Sequence, residues 1–336
     1  MSSFGAAFFD VVPPAFAQSG ADTPAMKGQP VEIAGPAGPL SGEALAVPGA
    51  EHVVVIIPGS GPTDRNGNSP TMGMASDTYL LLAEGLAQQG IASVRTDKRG
   101  FFSSEKAISD PNQVTIADYV NDVHGWARKA KELAPCVWLA GHSEGALVAL
   151  KAATSAPDEV CGLILMAAPG RPIGQLMVEQ MQANPAMTPL MPALRSIVAD
   201  LEAGRTRAPD TIPAPLQGLF SPGLQRYMID LFSYDPEQVA QDWKGPVLIV
   251  QGTHDIQVRT EDANMLGAAM LQAETRLLPG ATHMLKPDQP GAPYATYTDP
   301  NLPLDPALVP AIAAYVKAHA PGASGASGVP DSGQTP

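Results

Sequence analysis

The sequence predicts an α/β fold in which a mostly parallel central sheet is flanked by helices and carries a helical cap insertion. Three observations predict it. From about residue 50 to about residue 166, short apolar runs alternate with stretches of helical spacing, the pattern of strands joined by crossover helices. One run, Val137-Trp138-Leu139-Ala140, leads through Gly141-His142-Ser143-Glu144-Gly145 into the helix-forming Ala146-Leu147-Val148-Ala149-Leu150-Lys151, an order of strand, sharp turn and helix. From about Gly170 to Lys244 the alternation stops and no convincing strand remains.

Taken in chain order, Val31-Glu32-Ile33 and Ala44-Leu45-Ala46-Val47 read as early strands joined by a Gly/Pro-rich turn, a small antiparallel start to the sheet. Residues 53–57 form a continuous apolar, β-branched run, as a strand buried on both faces requires. Pro58-Gly59-Ser60-Gly61-Pro62 must then be a loop. Residues 79–89 have helical spacing and stop at Gly90. Strand 91–95, helix 115–133, strand 137–142, helix 145–155 and strand 163–166 follow, and 247–251 and 275–278 read as the last strands. In such a sheet ligands bind at the carboxyl ends of the strands. Within the insertion, Gln175-Leu176-Met177-Val178-Glu179-Gln180-Met181 and residues 194–201 are helical, and Met177, Met181, Met187 and Met191 gather there. Flexible thioethers suit a surface that closes over varied apolar groups, and they suit the packing of a cap against itself equally well.

A serine at the apex of a strand–turn–helix sits strained with its hydroxyl pushed into a cleft, and flanking glycines are needed because side chains there would collide with the strand and helix. Ser143 is therefore the candidate nucleophile. A serine hydroxyl is inert at neutral pH unless a histidine takes its proton and a carboxylate orients that histidine. Where this elbow occurs, the partners follow in the order Ser, Asp or Glu, His, each just beyond a strand. Gly252-Thr253-His254-Asp255 comes directly after strand 247–251, which makes Asp255 the candidate acid. Pro279-Gly280-Ala281-Thr282-His283 comes after strand 275–278, which makes His283 the candidate base. His52, His124, His142, His254 and His319 read as surface or packing histidines. Asp242 precedes its strand, and Glu261 and Asp262 open a helix, where acidic residues suit the positive end of the dipole.

Six segments occur in the order found in α/β-hydrolases: Ile57-Pro58-Gly59-Ser60-Gly61-Pro62-Thr63-Asp64-Arg65-Asn66-Gly67-Asn68, Arg95-Thr96-Asp97-Lys98-Arg99-Gly100, the elbow, Phe232-Ser233-Tyr234-Asp235-Pro236, residues 251–258, and Thr282-His283-Met284-Leu285-Lys286. From about residue 30 to about residue 320 the chain resembles the α/β-hydrolase superfamily, in particular its bacterial esterase branch related to serine aminopeptidase-like (S33-type) hydrolases. The resemblance implies a carboxylesterase-type serine hydrolase. It implies that Ser143 attacks, His283 carries the proton, Asp255 fixes the imidazole, and the backbone N–H groups of Ser60 and Glu144 hold the oxyanion. It implies no cofactor and no metal. It also implies that Asp97-Lys98-Arg99-Gly100 stiffens the floor beside the site. Asp64, Arg65 and Asn68 can brace the loop after the first parallel strand, and an ordinary Asn/Asp turn would look the same.

A small-molecule ester with a short acyl chain is the expected substrate. The chain is acidic, has only 5% aromatic residues and offers no aromatic stripe for a lipid interface. An aminopeptidase would need an acidic anchor for the substrate ammonium; Glu144, Glu179 and Asp235 are available but are better explained by the elbow helix, a solvated helix face and a turn before Pro236. The alternatives are a peptidase or thioesterase with the same triad, and a non-catalytic ligand-binding protein, whose mark would be a missing triad member. Ser103-Ser104-Glu105-Lys106 and Tyr119-Val120-Asn121 invite comparison with serine β-lactamases, but Lys-Thr-Gly is absent and the fragments lie too close together.

At 336 residues the chain fits one large domain with an insertion. A formal charge of −13 without any basic cluster argues against nucleic acid and anionic membrane as partners, and no membrane insertion is expected. The expected organisation is an export signal or disordered leader over 1–28, the hydrolase domain over 29–320 with its cap at about 170–244, and a disordered tail over 321–336. Phe4 to Val12 is mostly apolar and Ala15-Phe16-Ala17 resembles a signal-peptidase site, although the segment before it lacks Lys and Arg and Asp10 interrupts the apolar run. A periplasmic or secreted location is the expectation, a cytoplasmic one the alternative. Cys136 and Cys161 each open a strand, and those strands should be parallel neighbours. A disulfide and two buried thiols both remain open, since adjacent parallel strands often splay their side chains.

Overall fold

The computed structural model describes residues 27–319, and eight strands in them form one sheet of order β1-β2-β4-β3-β5-β6-β7-β8. β1 (Gln29–Ala34) and β2 (Pro39–Leu45) make an antiparallel hairpin, and β2 also runs antiparallel to β4 (Ala92–Thr96). The rest is parallel: β3 (His52–Ile57) pairs with β4 and β5 (Cys136–His142), and β6 (Gly162–Met166), β7 (Val247–Gly252) and β8 (Glu274–Leu278) follow outward.

Most elements fall within a residue or two of their expected bounds, but β2 does not. It starts at Pro39 rather than Ala44, because the turn occupies only 35–38 and pairing resumes at Ala34↔Pro39. Pro39, Ser41 and Gly42 are poor strand formers. Pairing with β1 on one side and β4 on the other overrides that weak propensity.

Alternation along β3 divides the core. Val53, Val55 and Ile57 point to the face covered by α2 (Ile116–Ala130), α3 (Glu144–Ser155) and the insertion, while Val54 and Ile56 point to the face covered by α1 (Thr78–Gln88) and the C-terminal helix Leu308–Ala318. Each large apolar side chain buried in these clusters contributes about 1.5–3 kcal/mol. α2 starts where Thr115 and Asp118 form a reciprocal capping box.

Between β6 and β7 lie α4 (Ile173–Gln182), α5 (Met191–Glu202), α6 (Pro222–Phe232) and α7 (Pro236–Asp242), without a strand. Leu194, Ile197, Leu201, Met228 and Leu231 from this stretch join the same core as α2 and α3. Met177, Met181 and Met187 pack against that core and Met191 lies within it, so these methionines take the packing role. After β7 come α8 (Thr260–Ala269), β8, the short α9 (Ala295–Thr298) and α10, the C-terminal helix already placed.

A disulfide joins Cys136, the first residue of β5, to Cys161, just before β6, with Cα atoms 5.6 Å apart. Apart from Lys27 and Gly28, the expected leader over 1–28 lies outside the described residues, as does the tail over 321–336. Among the described residues no helix is long and apolar enough to cross a membrane.

Candidate active site

Ser143 stands between β5 and α3 with φ 54° and ψ −125°, a conformation that costs a side-chain-bearing residue about 1–3 kcal/mol. The turn is held there from outside. Ser143 N–H donates to the Met166 carbonyl at the end of β6, 2.9 Å away. A Cβ at Gly145 would lie 2.4 Å from the Ile57 carbonyl oxygen, and one at Gly141 would lie 2.3 Å from the Gly145 carbonyl oxygen. Both glycines are therefore steric requirements of the elbow, and the N-terminus of α3 points its dipole at the serine.

Asp255 and His283 come from the loops after β7 and β8 and meet with Asp255 Oδ2 2.8 Å from His283 Nδ1. Asp255 Oδ1 accepts the Gln257 and Val258 N–H groups at 2.8 and 3.0 Å, and Gln251 Nε2 donates to Oδ2 at 3.2 Å. Burial alone would push the Asp255 carboxyl up. His283 and these backbone donors outweigh it and hold the pKa below the usual carboxylate value. A carboxylate only accepts, so His283 Nδ1 carries its proton and Nε2 is left with a lone pair. His254, next to the acid, is exposed and turned to Asp288 instead.

Ser143 and His283 line one cleft of about 140 Å³. Among the described residues no hydrogen bond joins them, and such contacts commonly tighten only when substrate binds. The cleft walls come from the loop after β3 (Gly59, Ser60, Thr63, Met72, Met74, Ser76) and from Thr78, Tyr79, His142, Gln257 and Met284. Among the described residues none of the insertion lines it. The sequence directs attention to the insertion's methionines, whereas the thioethers at the cleft are Met72, Met74 and Met284. Met72, Met74 and Gln257 are legible only as neighbours of the loop and the acid.

The Ser60 and Glu144 amides have no protein acceptor among the described residues, and Ser60 and Ser143 share the cleft lining. The loop presenting Ser60 is braced by the residues singled out in the sequence. Asp64 Oδ1 accepts the Asn66 and Asn68 N–H groups at 2.8 Å, Asn68 Oδ1 accepts those of Ser76 and Asp77, and Arg65 forms an ion pair with Asp97 at 2.5 Å.

Each acidic side chain considered as an ammonium anchor is occupied. Glu144 is buried and paired with Lys98 Nζ at 3.2 Å, Glu179 pairs with Arg171 at 2.8 Å, and Asp235 caps α7 by accepting the Glu237 N–H at 3.0 Å. The insertion does reach the back of the elbow. Tyr227 of α6 packs edge-on against Tyr119, and burial together with Glu144 raises the Tyr227 phenol well above its usual pKa. His142 is packed inside the fold: it is 3% exposed, hydrogen-bonded at both nitrogens, and its ring centroid lies 4.7 Å from that of His283.

The model of the family described as serine aminopeptidase, S33 matches residues 70–290 of the chain. Over 212 residues the chain is 28% identical to esterase EstD of Thermotoga maritima, which covers 62% of this chain and 48% of that protein. The chain thus spans about half the length of the curated relative it matches. Among solved structures, a thermophilic esterase from Thermogutta terrifontis superposes with a TM-score of 0.55 at 17% identity, over 87% of this chain and 100% of that one. An esterase of Pyrococcus furiosus gives 0.53 at 16% identity, over 77% and 84%. Est1E of Butyrivibrio proteoclasticus gives 0.51 at 16%, over 87% and 96%. At these identities the likeness is one of fold.

Proposed function

This chain belongs to the serine aminopeptidase, S33 family of α/β-hydrolases, and on that premise we propose that it is a serine hydrolase that cleaves carboxylic esters with short acyl chains. The observation that carries the proposal is the His283 Nδ1–Asp255 Oδ2 bond of 2.8 Å in the cleft that Ser143 also lines. Ser143 Oγ attacks the ester carbonyl while His283 Nε2 takes its proton, and Asp255 stabilises the imidazolium so formed. The tetrahedral oxyanion lies against the Ser60 and Glu144 N–H groups. Collapse breaks the bond to the alcohol, which leaves with the proton from Nε2. Water then repeats the sequence on the acyl-enzyme and releases the acid.

Three observations support an ester over a peptide. The possible ammonium anchors are already paired, an alkoxide needs less help in leaving than an amine, and the relatives named above are called esterases. The small volume of the cleft supports short acyl chains. The disulfide supports export to the periplasm or beyond, because such bonds persist in oxidising compartments.

The test is labelling with a fluorophosphonate, followed by kcat/KM across p-nitrophenyl esters from acetate to palmitate, acyl thioesters and aminoacyl p-nitroanilides. Labelling at Ser143 and a maximum at acetate or butyrate are expected. A maximum at palmitate, or anilide or thioester turnover rivalling the short esters, would overturn the substrate class, and absence of labelling would overturn the chemistry.

A further inference from the structure

A run of hydrogen bonds that the triad does not use connects the two sides of the cleft. The Gly59 N–H donates to Tyr79 Oη at 3.1 Å, Tyr79 Oη lies 2.9 Å from His142 Nδ1, and His142 Nε2 lies 2.8 Å from the backbone carbonyl of His283. All four residues are buried. The run starts in the loop that presents Ser60, crosses α1 and the end of β5, and finishes on the loop that presents the base.

Elimination places the protons. A carbonyl can only accept, so His142 Nε2 carries a hydrogen. Burial, and His283 beside it, push the His142 pKa down to about 3, so the ring is neutral and Nδ1 must accept. Tyr79 therefore donates its hydroxyl proton to Nδ1, and its oxygen is free to accept the Gly59 N–H. Every donor has its acceptor in a single arrangement. With both nitrogens engaged, His142 has neither a lone pair nor a proton to offer a substrate.

We infer that His142, acting through Tyr79, is a positioning residue that fixes the spacing between the oxyanion-binding loop and the His283 base. The inference rests on the triad and oxyanion roles proposed above. A substrate carbonyl has to meet Ser143, the Ser60 N–H and the proton path to His283 Nε2 together, and the loops that carry the last two share no strand. Their mutual placement depends on side chains that bridge them. His142 can bridge them because β5 delivers it next to the nucleophile, with its ring directed between both loops.

The deciding variant is Tyr79→Phe, which deletes one oxygen and leaves the ring packing in place. Expected is a fall in kcat of about ten- to hundredfold with KM within about twofold, because the loss is one of alignment in the transition state. The rate of fluorophosphonate labelling should fall in parallel, while circular dichroism stays that of the wild type. His142→Leu should fall at least as far. His142→Gln, whose amide nitrogen takes the place of Nε2 and can still donate to the His283 carbonyl, should recover most of kcat. A folded Tyr79→Phe with wild-type kcat and labelling rate overturns the inference, and so does a His142→Gln no better than a folded His142→Leu. If His142→Leu does not fold, Tyr79→Phe decides alone. Ser143→Ala measured alongside keeps the two levels apart: turnover surviving there sinks the triad, whereas an inactive Ser143→Ala beside a fully active Tyr79→Phe sinks only the positioning role.

Discussion

Lys98 Nζ donates a hydrogen bond of 3.0 Å to the carbonyl oxygen of Gly59. In a trans peptide the C=O and the following N–H point in opposite directions, so this bond orients the unit whose N–H belongs to Ser60. The same ammonium sits 3.2 Å from Glu144 Oε1 and over the Tyr119 ring. One buried cation therefore touches both segments proposed to present the oxyanion donors, and its bond to the Gly59 carbonyl sets the direction of the Ser60 N–H.

Replacing Lys98 alone leaves the Glu144 carboxylate buried without its partner, so Lys98→Met is expected to cost about 3–5 kcal/mol of folding stability, measured by urea denaturation. The double variant Lys98→Met/Glu144→Gln removes both charges and should recover much of that stability. Its kcat should still be about ten- to hundredfold below wild type, with a smaller change in KM. A double variant with wild-type kcat on p-nitrophenyl acetate would deny Lys98 any part in shaping the oxyanion donors.

At the elbow, chemistry and stability should separate. Ser143→Ala is expected to abolish nearly all turnover while keeping the fold. Ser143→Gly should be equally inactive but more stable by about 1 kcal/mol, since glycine relieves the strained φ. His283→Ala should match Ser143→Ala in activity. Asp255→Asn should lose less, its role being orientation and electrostatic support. Initial rates and thermal melts of the four proteins decide this, and a Ser143→Gly that melts below Ser143→Ala would refute the strain.

Acid should unfold the protein through His142. Its folded pKa of about 3 lies well below the ordinary histidine value, so on acidification the unfolded chain takes up the proton first. The stability linked to it is complete above about pH 6.5 and drains away as pH falls towards 3, at up to about 1.4 kcal/mol per pH unit. His52, also lowered by burial, adds to the loss in the upper part of that window. Asp255, whose folded pKa is depressed, adds its own loss only below the usual carboxylate value. Urea unfolding between pH 7 and pH 4 should therefore show a steep decline that is shallower in His142→Gln. Equal slopes in the two proteins would show that His142 takes up its proton without unfolding.

The Cys136–Cys161 bridge closes a segment with a sequence separation of 25, for which loop entropy predicts about 3.5 kcal/mol of stabilisation. Reduction should lower the melting temperature and leave kcat of the still-folded enzyme unchanged, because the bridge sits at the amino ends of β5 and β6 while Ser143 sits at the carboxyl end of β5. Non-reducing mass spectrometry of protein prepared under oxidising conditions should recover the linked peptide. Two freely alkylated thiols in that material would remove the bridge.

Ser143, Asp255 and His283 were legible because each stands directly after a recognisable strand, so local pattern alone locates it. The same holds for the parallel strands, whose β-branched runs declare burial on both faces. β2 was misplaced because its start is decided by partners on two other strands and not by its own Pro, Ser and Gly. The partners of His142 were not legible for a related reason. Its partners Tyr79 and His283 lie 63 and 141 residues away, and nothing in the elbow itself announces them. The methionines of the insertion could pack or line a cleft with equal ease, and only the position of the cleft decides which.

That position gives the molecule a division of labour. The cleft walls come from the loop after β3, from α1 and the end of β5, and from the loops carrying acid and base, whereas the helices between β6 and β7 stand behind them: Tyr227 packs on Tyr119, and Gln180 of α4 donates to the carbonyl of the cleft residue Gln257 at 3.0 Å. Away from Gln180, changes of substrate range and changes in the surface presented by those helices therefore fall on different stretches of the gene. A lineage could remodel one without retuning the other, and an engineer could graft a tag or a partner-binding loop onto the insertion while leaving the chemistry alone.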